Sequence, residues 1–219
     1  MKRGMFITFE GPEGSGKSTH IRLLADYLRG RGVEVKTTRE PGGTPLGESI
    51  RGLLQHNDCG EAPVPRAEVL LFLASRAQHI ECFIRPALSQ GLWVLCDRFE
   101  DSTFAYQGYG RGLDLDELKS ANFFATGGLQ PDLTILLDVA PATGRERLNH
   151  RHSQNGSAPD RIEREDEAFH IRLREGFLDI SQRDPQRIIV VATNRATAEV
   201  AADIREAVCG HLQKASDAC

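Results

Sequence analysis

One segment near the start of the chain, GPEGSGKS at residues 11–18, restricts the possible folds more than any other. It matches the pattern G-x-x-x-x-G-K-[S/T] in full, and it lies between the apolar run Met5–Glu10 and a segment of helical character. Its glycines allow backbone N–H groups to surround a phosphate group, at which the N-terminal end of the following helix would point. The segment therefore predicts a strand, a phosphate-binding loop (the P-loop) and a helix, as in open α/β sheets.

The residue types within the P-loop predict how it would hold a nucleotide. Lys17 is expected to reach the β- and γ-phosphates of a nucleoside triphosphate, and Ser18 is expected to bind Mg²⁺. A P-loop alone identifies nucleotide binding and does not separate kinases from switches or motor ATPases. The residues expected to contact the donor nucleotide in this part of the chain are Gly11, Pro12, Glu13, Gly14, Ser15, Gly16, Lys17, Ser18 and Thr19.

Short apolar runs alternate with longer segments of helical character along the chain. A parallel sheet covered by right-handed crossover helices buries its strands on both faces, and this alternation is typical of it. We expect residues 1–219 to form a single α/β domain, a P-loop NTPase with a doubly wound five-stranded parallel sheet. The strands are predicted at Met5–Glu10, Val33–Thr38, Leu92–Asp97, Leu133–Val139 and Arg187–Ala192. The helices are predicted at Lys17–Arg29, Pro45–Gln55, Arg66–Gln90, Asp114–Thr126, Pro141–Arg151, Glu163–Arg183 and Ala196–Lys214.

The composition of the chain indicates which kinds of binding partner and which cellular compartment to expect. The 219 residues are 40% hydrophobic and carry a net charge of −4, which fits one core and offers no basic field for nucleic acid or an anionic membrane. We find no long apolar signal region and no apolar span of membrane length, so we expect a cytoplasmic protein. The cysteines lack any C-x-x-C pair and predict neither a disulfide framework nor a zinc site: Cys59, Cys82, Cys96, Cys209 and Cys219.

Two further features bear on the predicted site. Asp97 and Arg98 end the third strand at the carboxyl edge of the sheet, where open α/β folds bind ligands. Asp97 is expected to help hold Mg²⁺ and Arg98 to span the donor and acceptor phosphates, although a surface salt bridge would also explain the pair. The stretch His150–Asp160 is polar and rich in turn formers, which predicts a mobile surface loop between two helices.

Four segments of the chain closely resemble thymidylate kinases. They are FEGPEGSGKST at 9–19, TREPGGTPLG at 38–47, DRFEDSTFAYQ at 97–107 and DRIE at 160–163. The resemblance implies an enzyme that phosphorylates dTMP to dTDP with MgATP in dTTP synthesis, and it implies a homodimer. The alternatives are a kinase for another nucleoside monophosphate or for a deoxynucleoside, and a nucleotide-dependent switch without an acceptor.

The resemblance assigns residues to the acceptor side. Glu13 would contact the 3′-hydroxyl of the deoxyribose, and Arg39 would clamp the acceptor phosphate. Phe72 would stack on thymine, while Arg76, one helical turn away, would donate to a base carbonyl. Taken alone, Phe72 would more often be a core residue.

The segment at 97–107 adds three acceptor contacts by the same resemblance. Tyr106 would crowd the sugar 2′ position and so favour deoxyribose. Ser102 and Gln107 would approach the base.

A lid at about residues 150–163 is also implied by the resemblance. Arg151 and Arg161 are its candidate catalytic arginines, and Arg161 is preferred because DRIE is the better match. Gly14 stands where one branch of the family carries an arginine, so the catalytic charge should come from the lid, as in the bacterial-type branch. Arg147 would pack on the adenine of ATP. Such a lid arginine can contribute roughly 10³–10⁵ in rate in related phosphoryl transfers.

Overall fold

The computed structural model describes residues 3–56, 60–156 and 158–217. Its strands are β1 (Phe6–Glu10), β2 (Val35–Arg39), β3 (Trp93–Asp97), β4 (Leu133–Asp138) and β5 (Ile188–Ala192). All neighbours pair in parallel in the order β2-β3-β1-β4-β5, which confirms the predicted five-stranded parallel sheet. The predictions for Cys59 and Cys219, and Ser157 of the lid, lie outside the described residues.

Helices connect successive strands, as the crossovers of a parallel sheet require. Two π-helical turns, Ile80–Ile84 and Phe104–Gly110, interrupt the α-helical pattern. None of the helices in the described ranges combines the length and apolar character that a membrane span requires. The α-helices are α1 (Lys17–Arg29), α2 (Pro45–His56), α3 (Pro65–His79), α4 (Arg85–Ser89), α5 (Glu100–Thr103), α6 (Leu115–Thr126), α7 (Pro141–Asn155), α8 (Glu167–Arg183) and α9 (Thr197–Asp217).

Alternate side chains of β1 bury opposite faces of the sheet. Ile7 and Phe9 are fully buried in a cluster with Leu24 of α1 and apolar residues of α9. Phe6 points to the other face and packs in a cluster with Ile80, beside α3 and α4. The period of two along a strand thus explains why β1 carries apolar residues on both of its faces, and why helices cover both faces of the sheet.

The helix predicted at Arg66–Gln90 is wrong in detail. It consists of α3, a π-helical turn and α4, which follow one another without a break in the chain. Pro86 lies just after the wider turn. Because proline has no N–H group, it cannot donate the regular helical bond to residue 82, and the change of helical register precedes it.

The helical segment Glu100–Gly110 was not predicted. Its glycines weaken any helical pattern, but they permit close packing against α8. A Cβ atom on Gly110 would lie 2.6 Å from the ring of Phe169, and one on Gly176 would lie 2.5 Å from Tyr109. Tertiary contact therefore stabilises a segment whose local sequence does not favour a helix.

The loop predicted at His150–Asp160 is wrong in its first half. Helix α7 continues past Arg151 to Asn155, and Gly156 ends it with a left-handed φ of 64°. Within this last part, the side chains of Gln154 and His150, one turn apart, are hydrogen bonded at 2.9 Å. A polar helix of this kind gives no apolar periodicity by which its end could be predicted.

The start of α8 also differs from its prediction at Glu163. The helix begins at Glu167, because Asp166 caps it by accepting a hydrogen bond from the backbone N–H of Phe169 at 2.7 Å. Upstream, Asp160 accepts bonds from the N–H groups of Ile162 and Glu163 at 2.9 Å each. Those bonds form a turn that competes with a helix at this point.

Candidate active site

A cavity of about 770 Å³ lies at the carboxyl edge of the sheet. Of the residues predicted for the site, Gly11, Pro12 and Arg161 are not among those that line it. The predicted residues that do line it are Glu13, Gly14, Ser15, Gly16, Lys17, Ser18, Thr19, Arg39, Phe72, Arg76, Asp97, Arg98, Ser102, Tyr106, Gln107, Arg147 and Arg151.

The ammonium group of Lys17 lies inside the P-loop. It donates to the carbonyl oxygens of Gly11 and Pro12 at 3.0 Å each. Burial, with the nearby charge of Arg98, lowers the pKa of Lys17. A buried cation that faces this cavity is placed to bind phosphate oxygens.

Ser18 and Asp97 bring two oxygen atoms together at the floor of the cavity. The Ser18 hydroxyl donates to Oδ2 of Asp97 at 2.8 Å. The parallel pairing of β1 with β3 sets Asp97 opposite Phe9, directly before the P-loop. In the described ranges, no group of three or more His, Cys, Asp or Glu residues could hold a metal ion. The pair fits Mg²⁺, which usually takes one or two protein oxygens together with substrate phosphates and waters.

Arg98 is the most constrained residue of the site. Its φ of 71° is left-handed, a conformation that costs on the order of 1–3 kcal/mol in a residue other than glycine. Its guanidinium donates to the carboxylate of Glu13 at 2.7 Å and to the carbonyl of Gly11 at 3.1 Å, and it lies 4.8 Å from the ring centre of Tyr106. Burial alone would lower the pKa of Arg98. Glu13 and the neighbouring acidic groups raise it by more than burial lowers it, so the pKa lies above its ordinary value and the side chain stays charged.

Glu13 is held between two partners that keep it ionised. Besides Arg98, the hydroxyl of Tyr106 donates to its Oε1 at 3.0 Å. Burial opposes ionisation, yet the charges of Arg98 and Lys17 and the bond from Tyr106 lower the pKa of Glu13 to about 2. The carboxylate is therefore an acceptor for a substrate hydroxyl at neutral pH.

Arg76, expected to donate to a base carbonyl, serves mainly a buried protein network. Its side chain is 2% exposed and pairs with Glu40 at 2.8 Å. Further bonds reach Thr103 at 2.9 Å, Asn122 at 2.7 Å and the carbonyl of Phe99 at 2.8 Å. These contacts use four of the five guanidinium N–H groups. One N–H group is left for a ligand in the cavity.

The other acceptor-side residues have their own partners. Ser102 donates its hydroxyl to the buried Glu10, and it accepts a bond from Arg98 at 3.1 Å. Arg39 is half exposed and pairs with Glu48 on α2 at 2.8 Å. Glu10 and Arg98 thus hold the Ser102 hydroxyl in place, whereas the exposed Arg39 is accessible to an acceptor phosphate.

The predicted lid arginines have different environments. Arg151 lines the cavity and pairs with Glu163 at 2.8 Å. Arg161 instead pairs with the buried Glu68 and donates to the carbonyl of Leu54 at 3.3 Å. This geometry differs from the expectation that Arg161 approaches the transferred phosphoryl group.

Arg147 links the P-loop to the loop that follows β5. It donates to the carbonyl of Thr193 at 2.7 Å and to that of Gly14 at 3.3 Å. Its guanidinium lies at the cavity wall, where a stacking role on a base remains a prediction.

Comparison with known proteins identifies the family. A family model described as thymidylate kinase matches residues 9–204. The chain belongs to the thymidylate kinase family. This confirms the resemblance that the four sequence segments indicated.

Individual thymidylate kinases match along nearly the whole chain. The thymidylate kinase of Gloeobacter violaceus is 52% identical over 204 residues, which cover 93% of this chain and 94% of that protein. The one from Desulfovibrio desulfuricans is 48% identical over 212 residues, covering 96% and 97%. The crystal structure of thymidylate kinase from Ehrlichia chaffeensis superimposes with a TM-score of 0.75 at 36% identity, covering 94% of this chain and 99% of that one.

The residues at the site of this thymidylate kinase family member that were not predicted include Arg51 and Glu10. Arg51 of α2 lines the cavity near Arg39, and burial together with the Arg39 charge lowers its pKa. Glu10 at the end of β1 is 1% exposed and accepts a bond from the backbone N–H of Phe99 at 2.7 Å, which fixes the turn that holds Arg98. A carboxylate that ends an apolar strand was the available signal for Glu10, whereas nothing local distinguished Arg51 from other helix arginines.

Proposed function

We propose that this protein transfers the γ-phosphoryl group of ATP to dTMP, giving dTDP and ADP. The observation that carries the proposal is the shared cavity in which Glu13, bound by Arg98 and Tyr106, lies beside the phosphate-binding Lys17. A nucleotide-dependent switch has no need of an ionised carboxylate inside its P-loop. An acceptor nucleotide, in contrast, has a sugar hydroxyl that can donate to Glu13 and a phosphate that can lie close to the phosphates bound by Lys17.

The transfer requires positioning and charge neutralisation more than covalent chemistry. The acceptor phosphate is already a competent nucleophile at neutral pH, so the protein needs no general base. Lys17 would bind the β- and γ-phosphates, and Arg98 would span the donor and acceptor phosphates. Ser18 and Asp97 would hold Mg²⁺, which neutralises charge on the donor phosphates when bound.

The acceptor is recognised by contacts on three sides. Glu13 accepts from the 3′-hydroxyl, and the ring of Tyr106, packed beside it, leaves little room for a 2′-hydroxyl. Arg39 binds the acceptor phosphate with a planar pair of N–H donors. Phe72 stacks on the base, and Gln107 contacts its edge.

The charge that develops on the transferred group is compensated from the lid. Of the two lid arginines, Arg151 supports this role best because it lines the cavity, whereas Arg161 is engaged by Glu68 and anchors the lid. Only an arginine that reaches the reacting group can stabilise the transition state in this way.

The proposed reaction is tested by an ADP-release assay with dTMP, dUMP, UMP, CMP, AMP and thymidine as acceptors, with and without Mg²⁺. We expect preference for dTMP and no turnover after chelation of Mg²⁺. A Lys17→Met variant controls for contaminating kinases and should be inactive. Equal or better turnover of another acceptor would refute the assignment.

We further propose that the protein is a homodimer that associates through α3 and α6. Phe124 and Phe123 of α6 are 90% and 69% exposed, and Leu70 of the adjoining α3 is 65% exposed. Such neighbouring apolar side chains are typical of association surfaces. Light scattering should give twice the chain mass, with a monomer after Phe124→Glu and a dimer in the control Ile171→Glu.

A cytoplasmic location stays a prediction, to be tested by cell fractionation.

A further inference from the structure

Glu68 of α3 is a buried carboxylate to which the proposed reaction gives no direct role. It is 1% exposed, and its Oε1 accepts a hydrogen bond from Nε2 of Gln107 at 2.8 Å. Its Oε2 pairs with Arg161, and the Nε of Arg111 lies 3.6 Å from Oε1. Glu68 therefore contacts both the acceptor side of the cavity and the lid.

The bond to Glu68 determines how the amide of Gln107 is oriented. An ionised carboxylate only accepts hydrogen bonds, so the NH₂ group of Gln107 must face Glu68 and the amide oxygen must face away from it. No donor among the described residues bonds to that oxygen. Among all residues that the structure describes, the one fully buried side-chain polar atom without a hydrogen-bond partner is Nδ1 of His20, so the unbonded oxygen of Gln107 is not fully buried. The Oε1 of Gln107 is thus accessible, and since Gln107 lines the cavity, its oxygen opens into it.

We propose that Glu68 is a positioning residue that sets acceptor-base specificity by fixing the oxygen of the Gln107 amide toward the base. The inference rests on the proposed function, in which Gln107 contacts the base edge. Thymine presents an N3–H donor, which an amide oxygen accepts. Cytosine presents a lone pair at N3, which would face that oxygen and be repelled. A rotated amide would reverse this preference, so specificity depends on what prevents the rotation.

The carboxylate at position 68 prevents the rotation because it cannot donate. A glutamine there could donate or accept, and Gln107 could then adopt either orientation. The charge of Glu68 is compensated by Arg161 and Arg111. Arg111 is in turn held by Glu165 at 2.6 Å, which anchors the cluster to the segment before α8.

The test measures dissociation constants of dTMP and dCMP by isothermal titration, because binding avoids the effects of lid changes on turnover. In Glu68→Gln we expect the preference for dTMP over dCMP to fall at least about ten-fold, the scale of a mispaired polar contact. The matched control is Glu165→Gln, which removes a carboxylate of the same cluster that pairs with Arg111 and not with Gln107. The control should keep the wild-type preference, and an equal loss in both variants would overturn the proposal.

A reversed pair keeps the proposal testable if Glu68→Gln does not fold. In the double variant Glu68→Gln, Gln107→Glu, residue 68 donates its amide and the carboxylate at 107 again presents an acceptor to the base. We expect this variant to regain the preference for dTMP, and a preference that stays relaxed overturns the role of Glu68.

Gln107→Leu separates this proposal from the one on which it rests. If dTMP binding is unchanged in Gln107→Leu, the contact of Gln107 with the base is wrong and the role of Glu68 fails with it, whereas the proposed transfer to dTMP is still decided by the turnover assay. If Gln107→Leu weakens dTMP binding while Glu68→Gln keeps the wild-type preference, only the role of Glu68 is refuted.

Discussion

Replacement of Arg76 by lysine is expected to destabilise the fold more than it weakens dTMP binding. The guanidinium of Arg76 joins Glu40, Thr103 and Asn122 and the carbonyl of Phe99 in a network with almost no exposure to solvent. An ammonium group can keep the contact with Glu40 as a point charge. It lacks the planar array of donors that reaches the other three acceptors.

The magnitude follows from what the substitution leaves buried. Burial alone would raise the pKa of Glu40, but Arg76 and His79 lower it, so a charged carboxylate remains beneath the cavity. Lysine can still pair with that carboxylate, but the acceptors on Thr103, Asn122 and Phe99 lose their donor, and each buried acceptor left unsatisfied costs about 1–3 kcal/mol. Since a domain is stabilised by about 5–15 kcal/mol in total, Arg76→Lys should lose a large fraction of the free energy of unfolding.

Urea denaturation measures this loss, and titration of the folded variant with dTMP measures the binding contribution. The control Arg183→Lys changes an arginine that pairs with Asp179 on the surface, with 61% of its side chain exposed. It should alter the free energy of unfolding by at most about 0.5 kcal/mol. A loss below about 1 kcal/mol in Arg76→Lys, together with a more than about ten-fold weaker affinity for dTMP, would refute the assignment of Arg76 to the protein network.

Three further predictions concern the lid, the buried acid and the sugar. Arg151→Ala should lower kcat at least about 100-fold with little change in the KM for dTMP, whereas Arg161→Ala should lower kcat less. If Arg161→Ala has the larger effect on kcat, Arg161 is the catalytic lid arginine, as the sequence had indicated. Burial raises the pKa of Glu10 to about 8, so between about pH 5 and 8 the folded state keeps a proton that the unfolded state releases. The free energy of unfolding should therefore fall with rising pH in the wild type and less steeply in Glu10→Gln, and parallel denaturation profiles would contradict this. Tyr106→Ala should narrow the ratio of kcat/KM between dUMP and UMP, and an unchanged ratio would exclude Tyr106 from sugar selection.

The features that local sequence determines were predicted well. An apolar run such as β1 has no alternative to burial on both faces, and the P-loop pattern requires a strand before it and a helix after it. The predicted site residues largely converge because parallel strands end at one edge of the sheet. Asp97 and Arg39, for example, come from neighbouring strands that pair in register.

The features that depend on distant partners could not be predicted in the same way. Arg76 was correctly placed at the cavity, but its bond to Asn122 spans 46 positions and joins α3 to α6. The contact of Arg161 with Glu68 spans 93 positions. Sequence can indicate that an arginine lies near a site, whereas the number of its N–H groups that remain available depends on the packing of other helices.

Gly14 shows how a local observation and a distant contact combine. From sequence, the glycine only indicated that the catalytic arginine comes from the lid and not from the P-loop. In the structure its φ is 73°, and a Cβ atom there would lie 2.3 Å from the carbonyl oxygen of Gly144 on α7. The two glycines thus let α7 lie directly against the P-loop, and the same helix brings Arg147 and Arg151 to the cavity wall. An arginine at position 14 would displace α7 and with it both of these cations. In this chain, the absence of a side chain at position 14 therefore lets α7 hold Arg147 and Arg151 at the cavity wall.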